Sequence, residues 1–282
     1  MEPLGLIAGE GIFPMLVARG ARAAGRRVIC AALAGCASPQ LQVECDVFRW
    51  VGLVRMGQWI RLLRREGCSQ AIMVGRVRKT QMYDPWRYLR FIPDLRTVSL
   101  WVRRMRRDKR PYTMLKAIAD ELATAGVPLI DSTTYCQEHL AAPGVMTHRQ
   151  PTEQQWLDVA FGWELCSVLS RMDVGQAIAV YHRDVIAVEA LEGTNAMIER
   201  AGQLCKVKGW TVIKVSNTRR DMRLDVPVIG CQTVEKLHEA GAGCIVLEPG
   251  KTLVLEKPKV LELADRYKIA IVGYEAAVKE RA

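Results

Sequence analysis

Leu4-Gly5-Leu6-Ile7-Ala8-Gly9-Glu10-Gly11-Ile12-Phe13-Pro14 has the pattern of a short apolar strand that breaks at glycines and leads into a helix. The helical pattern continues to Ala24, Gly25 ends it, and Arg27 to Leu33 is a second apolar run of strand length. A strand, a helix and a second strand in this order form a βαβ unit, in which the two strands are parallel. The opening segment therefore predicts the start of a parallel sheet.

Strands and helices continue to alternate along the chain, which predicts an α/β fold with helices on both faces of a parallel sheet. The pattern predicts strands at 47–51, 70–74 and 127–130, with helices at 58–66 and 114–125. A long helix at 152–170 then opens a second α/β series that ends in a strand at 269–272. We place an N-terminal domain at residues 1–133, a linker at 134–150 and a C-terminal α/β domain carrying an acidic site at 151–282.

The composition is that of a globular protein with an excess of positive charge. Of its 282 residues, 50% are hydrophobic, which excludes a disordered or collagen-like chain. The 40 Lys and Arg residues outnumber the 30 Asp and Glu residues, for a net charge of +10. Such an excess favours an anionic partner, which can be nucleic acid, a phosphorylated ligand or an acidic membrane surface.

No stretch is typical of a membrane span or of a secretory signal. Lys or Arg interrupts every apolar run before the roughly 18 residues that a spanning helix needs. The nine cysteines are scattered and form no Cys-x-x-Cys pair, so we expect reduced thiols in a cytoplasmic protein.

Two glycine turns are candidate phosphate sites. Gly9 and Gly11 lie between a strand and a helix, where backbone N–H groups can approach a phosphate. A dinucleotide fingerprint needs a third glycine at position 14, and Pro14 stands there, which disfavours a nicotinamide-dependent oxidoreductase. Gly75-Arg76-Val77-Arg78 follows another strand, and its arginines can clamp a phosphate. A plain tight turn and ordinary surface arginines remain the alternative interpretations.

A polar cluster in the second half is the third candidate site. Glu189 ends a strand, Glu192-Gly193-Thr194-Asn195 follows it, and Lys214 ends the next strand of that half. If Asp221 to Asp225 is extended, the two-residue period places Asp221, Arg223 and Asp225 on one face. Carboxylates beside a guanidinium suit a hydrated divalent cation next to a phosphoryl group. A solvated strand edge with salt bridges is the alternative.

The four histidines lack zinc-site spacing, and no serine lies in a Gly-x-Ser-x-Gly elbow. A zinc enzyme and an ordinary serine hydrolase are therefore disfavoured.

The segment from Arg76 to Arg110 is basic and amphipathic. It contains twelve Lys and Arg residues, Arg103, Arg104, Arg106 and Arg107 among them, interleaved with aromatic and aliphatic side chains. Arginine and tryptophan together suit a membrane interface or a cover over acyl chains, whereas a solvated helical face is the alternative.

Several stretches together resemble the cytosolic UDP-2,3-diacylglucosamine pyrophosphatases of the two-domain type, which act in lipid A biosynthesis. The resemblance runs from about Leu4 to Val272, and its C-terminal motifs are more specific than its glycine turn. The matching stretches are Gly5 to Pro14, Gly75 to Arg78, Asp173-Val174-Gly175-Gln176, Glu189 to Thr194 and Asp221-Met222-Arg223-Leu224-Asp225-Val226-Pro227-Val228-Ile229-Gly230.

The resemblance implies hydrolysis of UDP-2,3-diacylglucosamine to UMP and 2,3-diacylglucosamine 1-phosphate with Mg²⁺ or another divalent metal. It also implies a ligand cleft between a Rossmann-like N-terminal domain and a C-terminal α/β domain. Asp225 matches the family's essential aspartate, as a metal-binding or water-positioning group, with Asp221 and Arg223 as catalytic companions and Glu192 as a second metal ligand. The expected substrate-binding residues are Gly9, Gly11, Ile12, Gly75, Arg76, Gln176, Gly193, Thr194, Asn195, Lys214 and Thr233.

Two positions depart from the family pattern. Asn195 stands where the family usually has an aspartate after Glu-Gly-Thr, and Tyr112-Thr113 stands where it tends to have a pair of aspartates. If either acidic position contributes to metal binding, we expect a lower metal affinity or rate in this chain.

The residues also suggest a mechanism and leave rivals open. Because a pyrophosphate is anionic, a metal ion and cations such as Arg223, Lys214 and Arg76 would offset charge as water approaches phosphorus. A nucleic-acid-binding protein and a nucleotide-sugar-binding protein without hydrolysis are the alternatives. We expect a lipid-linked UDP-sugar substrate, an anionic membrane surface at the inner membrane face as partner, a possible homodimer, and no nucleic acid.

Overall fold

The computed structural model describes residues 2–77, 92–108, 110–216, 221–224 and 226–275. The chain divides into two compact units, Met1–Cys136 with Asp221–Asp225, and Gln137–Arg220 with Val226–Ala282. Each unit has its own sheet and core, and each is described by itself. Asp225 and the segment 78–91 lie outside the described residues.

The first unit is built on a four-stranded parallel sheet, which confirms the predicted parallel-sheet domain. Its strands are β1 (Leu4–Ala8), β2 (Val28–Leu33), β3 (Val47–Val51) and β4 (Ala71–Val74), in the order β3-β2-β1-β4. Every residue of β1 and β2 is buried, as the unbroken apolar runs predict for parallel strands with both faces covered.

Among the described residues, four α-helices accompany this sheet: α1 (Phe13–Ala23), α2 (Met56–Arg65), α3 (Leu95–Leu100) and α4 (Pro111–Thr124), with a π-helical turn at Trp101–Met105 after α3. Pro14 occupies the first turn of α1, where a missing N–H costs nothing. Helix α2 buries Trp59, Ile60 and Leu63 in the core and leaves its arginines at the surface.

The second unit is built on a mixed six-stranded sheet. Its strands are β5 (Gly144–Val145), β6 (Ala177–Tyr181), β7 (Asp184–Val188), β8 (Trp210–Lys214), β10 (Ala242–Leu247) and β12 (Ala270–Gly273), in the order β5-β12-β10-β8-β6-β7. The central strands β8, β10 and β12 are parallel, whereas β6, β7 and β5 run antiparallel to their neighbours. Strands β9 (Val228–Ile229) and β11 (Leu253–Val254) form a separate parallel pair.

The helices of this unit are α5 (Glu153–Arg171), α6 (Thr194–Leu204), α7 (Cys231–Ala240) and α8 (Lys257–Arg266). Thr152 and Gln155 form a reciprocal capping box at the start of α5. Gly193 precedes α6 with a φ of 85°, a left-handed value that favours glycine. None of the described helices is long and apolar enough to cross a membrane.

Two predicted elements differ from the structure. The stretch 127–130 is not a strand of the sheet. It contributes a single isolated bridge, between Ala71 and Leu129, and one paired residue is too few to form a strand. The segment Asp221 to Leu224 is a turn packed in the first unit, and it is not extended as predicted. The Asp221 carboxylate accepts a hydrogen bond from the Arg223 N–H at 3.0 Å, and the Leu224 N–H donates to the Asp221 carbonyl at 2.8 Å. An aspartate that bonds the backbone two residues on favours such a turn.

Candidate functional site

In the first unit, two glycine backbones cross where β1 and β4 end. The Gly9 N–H donates to the Val74 carbonyl, and Glu10 and Arg76 exchange backbone hydrogen bonds of 2.9 and 2.8 Å. A Cβ atom on Gly75 would lie 2.7 Å from the Gly9 carbonyl carbon, and φ of Gly75 is +98°. Any larger residue at position 75 would therefore force these two backbone segments apart.

This crossing lies at the carboxyl ends of β1 and β4. In the order β3-β2-β1-β4, strands β2 and β3 lie on one side of β1 and β4 lies on the other, so the strand order reverses between β1 and β4. In open α/β sheets, ligands bind outside the carboxyl ends of the strands at such a switch point. The structure therefore brings together the predicted residues of this unit, which are Gly9, Gly11, Ile12, Gly75 and an exposed Arg76.

In the second unit, Gln176, Glu189 and Lys214 meet at one end of the sheet. The Glu189 N–H donates to the Ala177 carbonyl, and the Val215 N–H donates to the Gln176 carbonyl, each at 2.9 Å. Strand β6 begins where β7 and β8 end, because it runs antiparallel to both. Polar residues far apart in sequence are neighbours here for that reason.

A chain of hydrogen bonds joins two buried charged side chains at this end of the sheet. Lys214 Nζ donates to Thr194 Oγ1 at 2.6 Å, and Thr194 Oγ1 donates to Glu189 Oε1 at 3.0 Å. Lys214 is 2% exposed and Glu189 is 6% exposed. Among the described residues, Glu189 Oε2 finds no hydrogen-bond partner, so this buried carboxylate retains an open acceptor.

The first turns of α6 and α7 meet beside this chain. Thr233 Oγ1 donates to Asn195 Oδ1 at 3.1 Å, which joins the two helix N-termini. Free N–H groups and the helix dipole make such termini favourable for anions. The predicted residues Gln176, Gly193, Thr194, Asn195, Lys214 and Thr233 therefore lie together in the second unit.

Glu192 lies nearby with both carboxylate oxygens engaged. Oε1 accepts from Arg200 at 2.7 Å, and Oε2 accepts from the Ala190 N–H at 3.1 Å. Hydrogen bonding from its own backbone N–H, together with the Arg200 guanidinium, lowers the pKa of Glu192 from its usual value. A metal ion at Glu192 would share these oxygens with the two donors and would lie beside the positive charge of Arg200.

Asp221 and Arg223 form an ion pair in the first unit. Arg223 Nε donates to both carboxylate oxygens of Asp221 at 2.8 Å, and the Ser132 N–H donates to the Met222 carbonyl at 3.2 Å. The Arg223 guanidinium lowers the pKa of the Asp221 carboxyl, and that carboxylate raises the pKa of Arg223. These two predicted catalytic residues therefore engage each other.

The described residues alone do not fit a magnesium site. They include no group of three or more His, Cys, Asp and Glu side chains placed to hold a metal ion. The carboxylates of Glu192 and Asp221 are occupied by guanidinium or N–H donors, and Asp225 lies outside the described residues.

Glu189 and Glu248 lie at the carboxyl ends of β7 and β10. The predicted polar cluster includes Glu189 but gives it no catalytic, metal-binding or substrate-binding role, and it does not include Glu248. Glu248 directly follows β10, and its Oε2 accepts from the Ser216 N–H at 2.8 Å, two residues after β8. Both glutamates come immediately after an apolar strand, and that position was the available signal.

The fold and the site define a two-unit α/β protein that collects polar side chains at the carboxyl ends of parallel strands. The chain belongs to the LpxI family: residues 3–139 match the LpxI N-terminal domain, and residues 142–272 match the LpxI C-terminal domain. These matches confirm the resemblance found in the sequence.

Two known proteins are similar to this chain, one in sequence and one in structure. The chain is 28% identical over 285 residues to the UDP-2,3-diacylglucosamine pyrophosphatase LpxI of Caulobacter vibrioides, with 98% of each chain covered. It is 11% identical to the solved GalE-like L-threonine dehydrogenase from Cupriavidus necator (holo form), at a TM-score of 0.30. That match covers 87% of this chain and 64% of the other, which is less than two thirds.

Proposed function

We propose that this protein hydrolyses the pyrophosphate of UDP-2,3-diacylglucosamine to UMP and 2,3-diacylglucosamine 1-phosphate, in lipid A biosynthesis. The observation that carries the proposal is the hydrogen-bonded set Lys214, Thr194 and Glu189 at the start of α6, in a chain of the LpxI family. The Caulobacter relative is named for this activity, and the similarity extends over 98% of both chains.

The second unit supplies positive potential for an anionic substrate. The Lys214 ammonium is buried and held by the Thr194 hydroxyl, so it loses little freedom when a phosphate group arrives. The N-termini of α6 and α7 add N–H donors and the positive ends of two helix dipoles. Lys214, Thr194 and Asn195 would therefore bind and orient phosphate or ribose oxygens of the nucleotide.

The first unit supplies glycines at which a ligand can approach the backbone closely. Gly9, Gly11 and Gly75 have no side chains to block a ligand, and Gly11 has open space where a Cβ atom would stand. Arg76 is exposed at the end of β4 and can pair with a phosphate oxygen. We assign these residues to substrate binding.

Hydrolysis needs water to attack one phosphorus while the bridging P–O bond breaks, so that each product keeps one phosphate. We assign Asp225 to positioning the water or a metal ion, with Asp221 holding the Arg223 cation toward the developing negative charge. The ion pair between Asp221 and Arg223 supports that orienting role, because a bidentate carboxylate fixes the plane of the guanidinium.

A dependence on Mg²⁺ is part of the proposal and rests on the family resemblance. The carboxylates of Glu192 and Asp221 already accept hydrogen bonds from guanidinium or N–H donors. If Asp225 and Glu192 do hold a cation, the Arg200 guanidinium on Glu192 would repel it, and metal affinity should be modest.

Binding of a nucleotide sugar without hydrolysis is a second candidate. It is favoured by Asn195, which stands where the family usually has a carboxylate and whose side-chain oxygen accepts a hydrogen bond from Thr233. An amide cannot serve as a base or as a charged metal ligand.

The decisive comparison uses purified full-length chain with UDP-2,3-diacylglucosamine and Mg²⁺, with UMP release followed over time. We expect turnover to stop with EDTA and to return with excess Mg²⁺. Asp225→Ala and Lys214→Met should each lower turnover by orders of magnitude, whereas Lys208→Met, at an exposed lysine, should not. Saturable binding of substrate with no UMP from the wild type would replace hydrolysis by the binding function.

A further inference from the structure

An open groove in the first unit lies between α2 and the start of α3, with a volume of about 820 Å³. It is lined by Arg61, Arg64 and Arg65 of α2, and by Asp94, Leu95 and Arg96 at the start of α3. We call this surface the arginine groove. Its residues belong to a single unit and do not overlap the candidate site.

The basic residues of the groove differ in how they are paired. Arg96 pairs with Glu121 at 2.5 Å, and further along Arg104 pairs with Asp120 at 2.7 Å. Within the described part of the chain, Arg61, Arg64 and Arg65 form no ion pair, and all three are exposed. The available positive charge at this surface is therefore concentrated on α2, outside the basic segment 76–110.

One carboxylate lines the groove, and it is already used. Asp94 Oδ2 accepts from the Gly57 N–H at 2.7 Å, and its Oδ1 accepts from the Thr97 N–H at 2.9 Å. Asp94 thus fastens the start of α3 to the start of α2. The carboxylate holds the groove together. Arg61 Nε donates to the Gly57 carbonyl of its own helix at 3.1 Å, and Arg64 and Arg65 are exposed.

Large aliphatic side chains project beside these arginines. Leu95 is 90% exposed and Ile92 is 62% exposed, and Val98, Trp101 and Val102 are exposed on the same short stretch. Exposed leucine and isoleucine next to unpaired arginines form a surface that is apolar and cationic at once. Such a combination matches a bilayer interface, where aliphatic groups enter the acyl region and arginines reach headgroup phosphates.

We propose that the arginine groove docks this protein on a bilayer that contains anionic phospholipids. Leu95 and Ile92 enter the interface, and Arg61, Arg64 and Arg65 contact lipid phosphates. Nucleic acid fits this surface less well, since single strands are bound by aromatic stacking and the exposed side chains here are mainly aliphatic. The proposal is independent of catalysis, and its test needs no turnover.

The test is flotation of the full-length chain with vesicles of phosphatidylcholine, with and without phosphatidylglycerol, at one salt concentration. We expect binding that rises with phosphatidylglycerol. Each basic residue at an anionic surface changes the partition coefficient about fivefold, so Arg64→Glu with Arg65→Glu should lower it at least about 25-fold. Leu95→Ser should lower binding as well, while all variants keep the wild-type circular dichroism spectrum.

The matched control is Lys206→Glu with Lys208→Glu, which makes the same change in net charge at exposed lysines of the second unit. Wild-type binding by this control supports the proposal. Equal losses in the two double variants would show a response to net charge alone and overturn it. Binding to single-stranded RNA that needs Arg64 and Arg65, with no vesicle binding, would also overturn it.

Discussion

A single hydroxyl, that of Thr194, joins two buried charged side chains of the second unit, so Thr194→Val removes two hydrogen bonds at once. Lys214 Nζ loses an acceptor at 2.6 Å, and Glu189 Oε1 loses its donor at 3.0 Å. A hydrogen bond to a charged group contributes about 1.5–3 kcal/mol. Because both bonds share one hydroxyl, they do not simply add, and we expect a loss of about 3 kcal/mol in the local free energy of unfolding.

The assay is hydrogen–deuterium exchange of the backbone amides in β8, the strand that ends at Lys214. A loss of about 3 kcal/mol corresponds to exchange about a hundredfold faster, since 1.4 kcal/mol is a factor of ten. Thr194→Ser keeps the hydroxyl and should stay close to wild type. As a control, Thr124→Val removes an exposed hydroxyl that donates to the Asp120 carbonyl of its own helix, and should change stability by less than about 0.5 kcal/mol.

Two results would refute this reasoning. Unchanged exchange of β8 in Thr194→Val would mean that the hydroxyl does not stabilise the buried pair. Equal effects of Thr194→Ser and Thr194→Val would mean that the methyl group, and not the hydroxyl, carries the stability.

The remaining predictions concern the first unit. Gly75→Ala should destabilise this unit more than Gly35→Ala does. Both glycines have a positive φ, but only a Cβ atom at residue 75 would clash with Gly9. Equal losses of stability in urea denaturation would contradict the close crossing of the two backbone segments. Asp221→Asn should cost stability at pH 7, because the pKa of Asp221 is lowered from 3.8 by Arg223 in the folded chain. A carboxyl group whose pKa is lowered by folding stabilises the folded chain at any pH above its unfolded pKa, and this stabilisation is lost as the pH falls through the folded pKa. The difference in stability between Asp221→Asn and wild type should therefore vanish in acid. A difference that persists at the lowest pH would contradict the ion pair.

The strand and helix series could be predicted because its signals are local. The apolar run at β1, the glycines that end it and Pro14 in the first turn of α1 each follow from backbone chemistry. The strand predicted at 127–130 was wrong because an apolar run does not reveal how many partners it will find in the sheet.

The candidate site was predicted in parts. Residues at the end of a strand or directly after it, such as Lys214 and Gly75, could be found because the carboxyl ends of parallel strands meet at one edge of the sheet. The turn at Asp221 could not, because a two-residue charge pattern fits an extended strand and an Asp–Arg turn equally well. The pairing of Arg96 and Arg104 with carboxylates of α4 was also hidden, since it depends on how two helices pack.

The most direct test of the proposed activity is to quantify both products formed by the purified full-length chain from UDP-2,3-diacylglucosamine and Mg²⁺. We predict UMP and 2,3-diacylglucosamine 1-phosphate in equal amounts, identified by mass spectrometry, and neither product from the Asp225→Ala variant. Release of UDP and diacylglucosamine, or no product from the wild type, would contradict the proposed pyrophosphate cleavage.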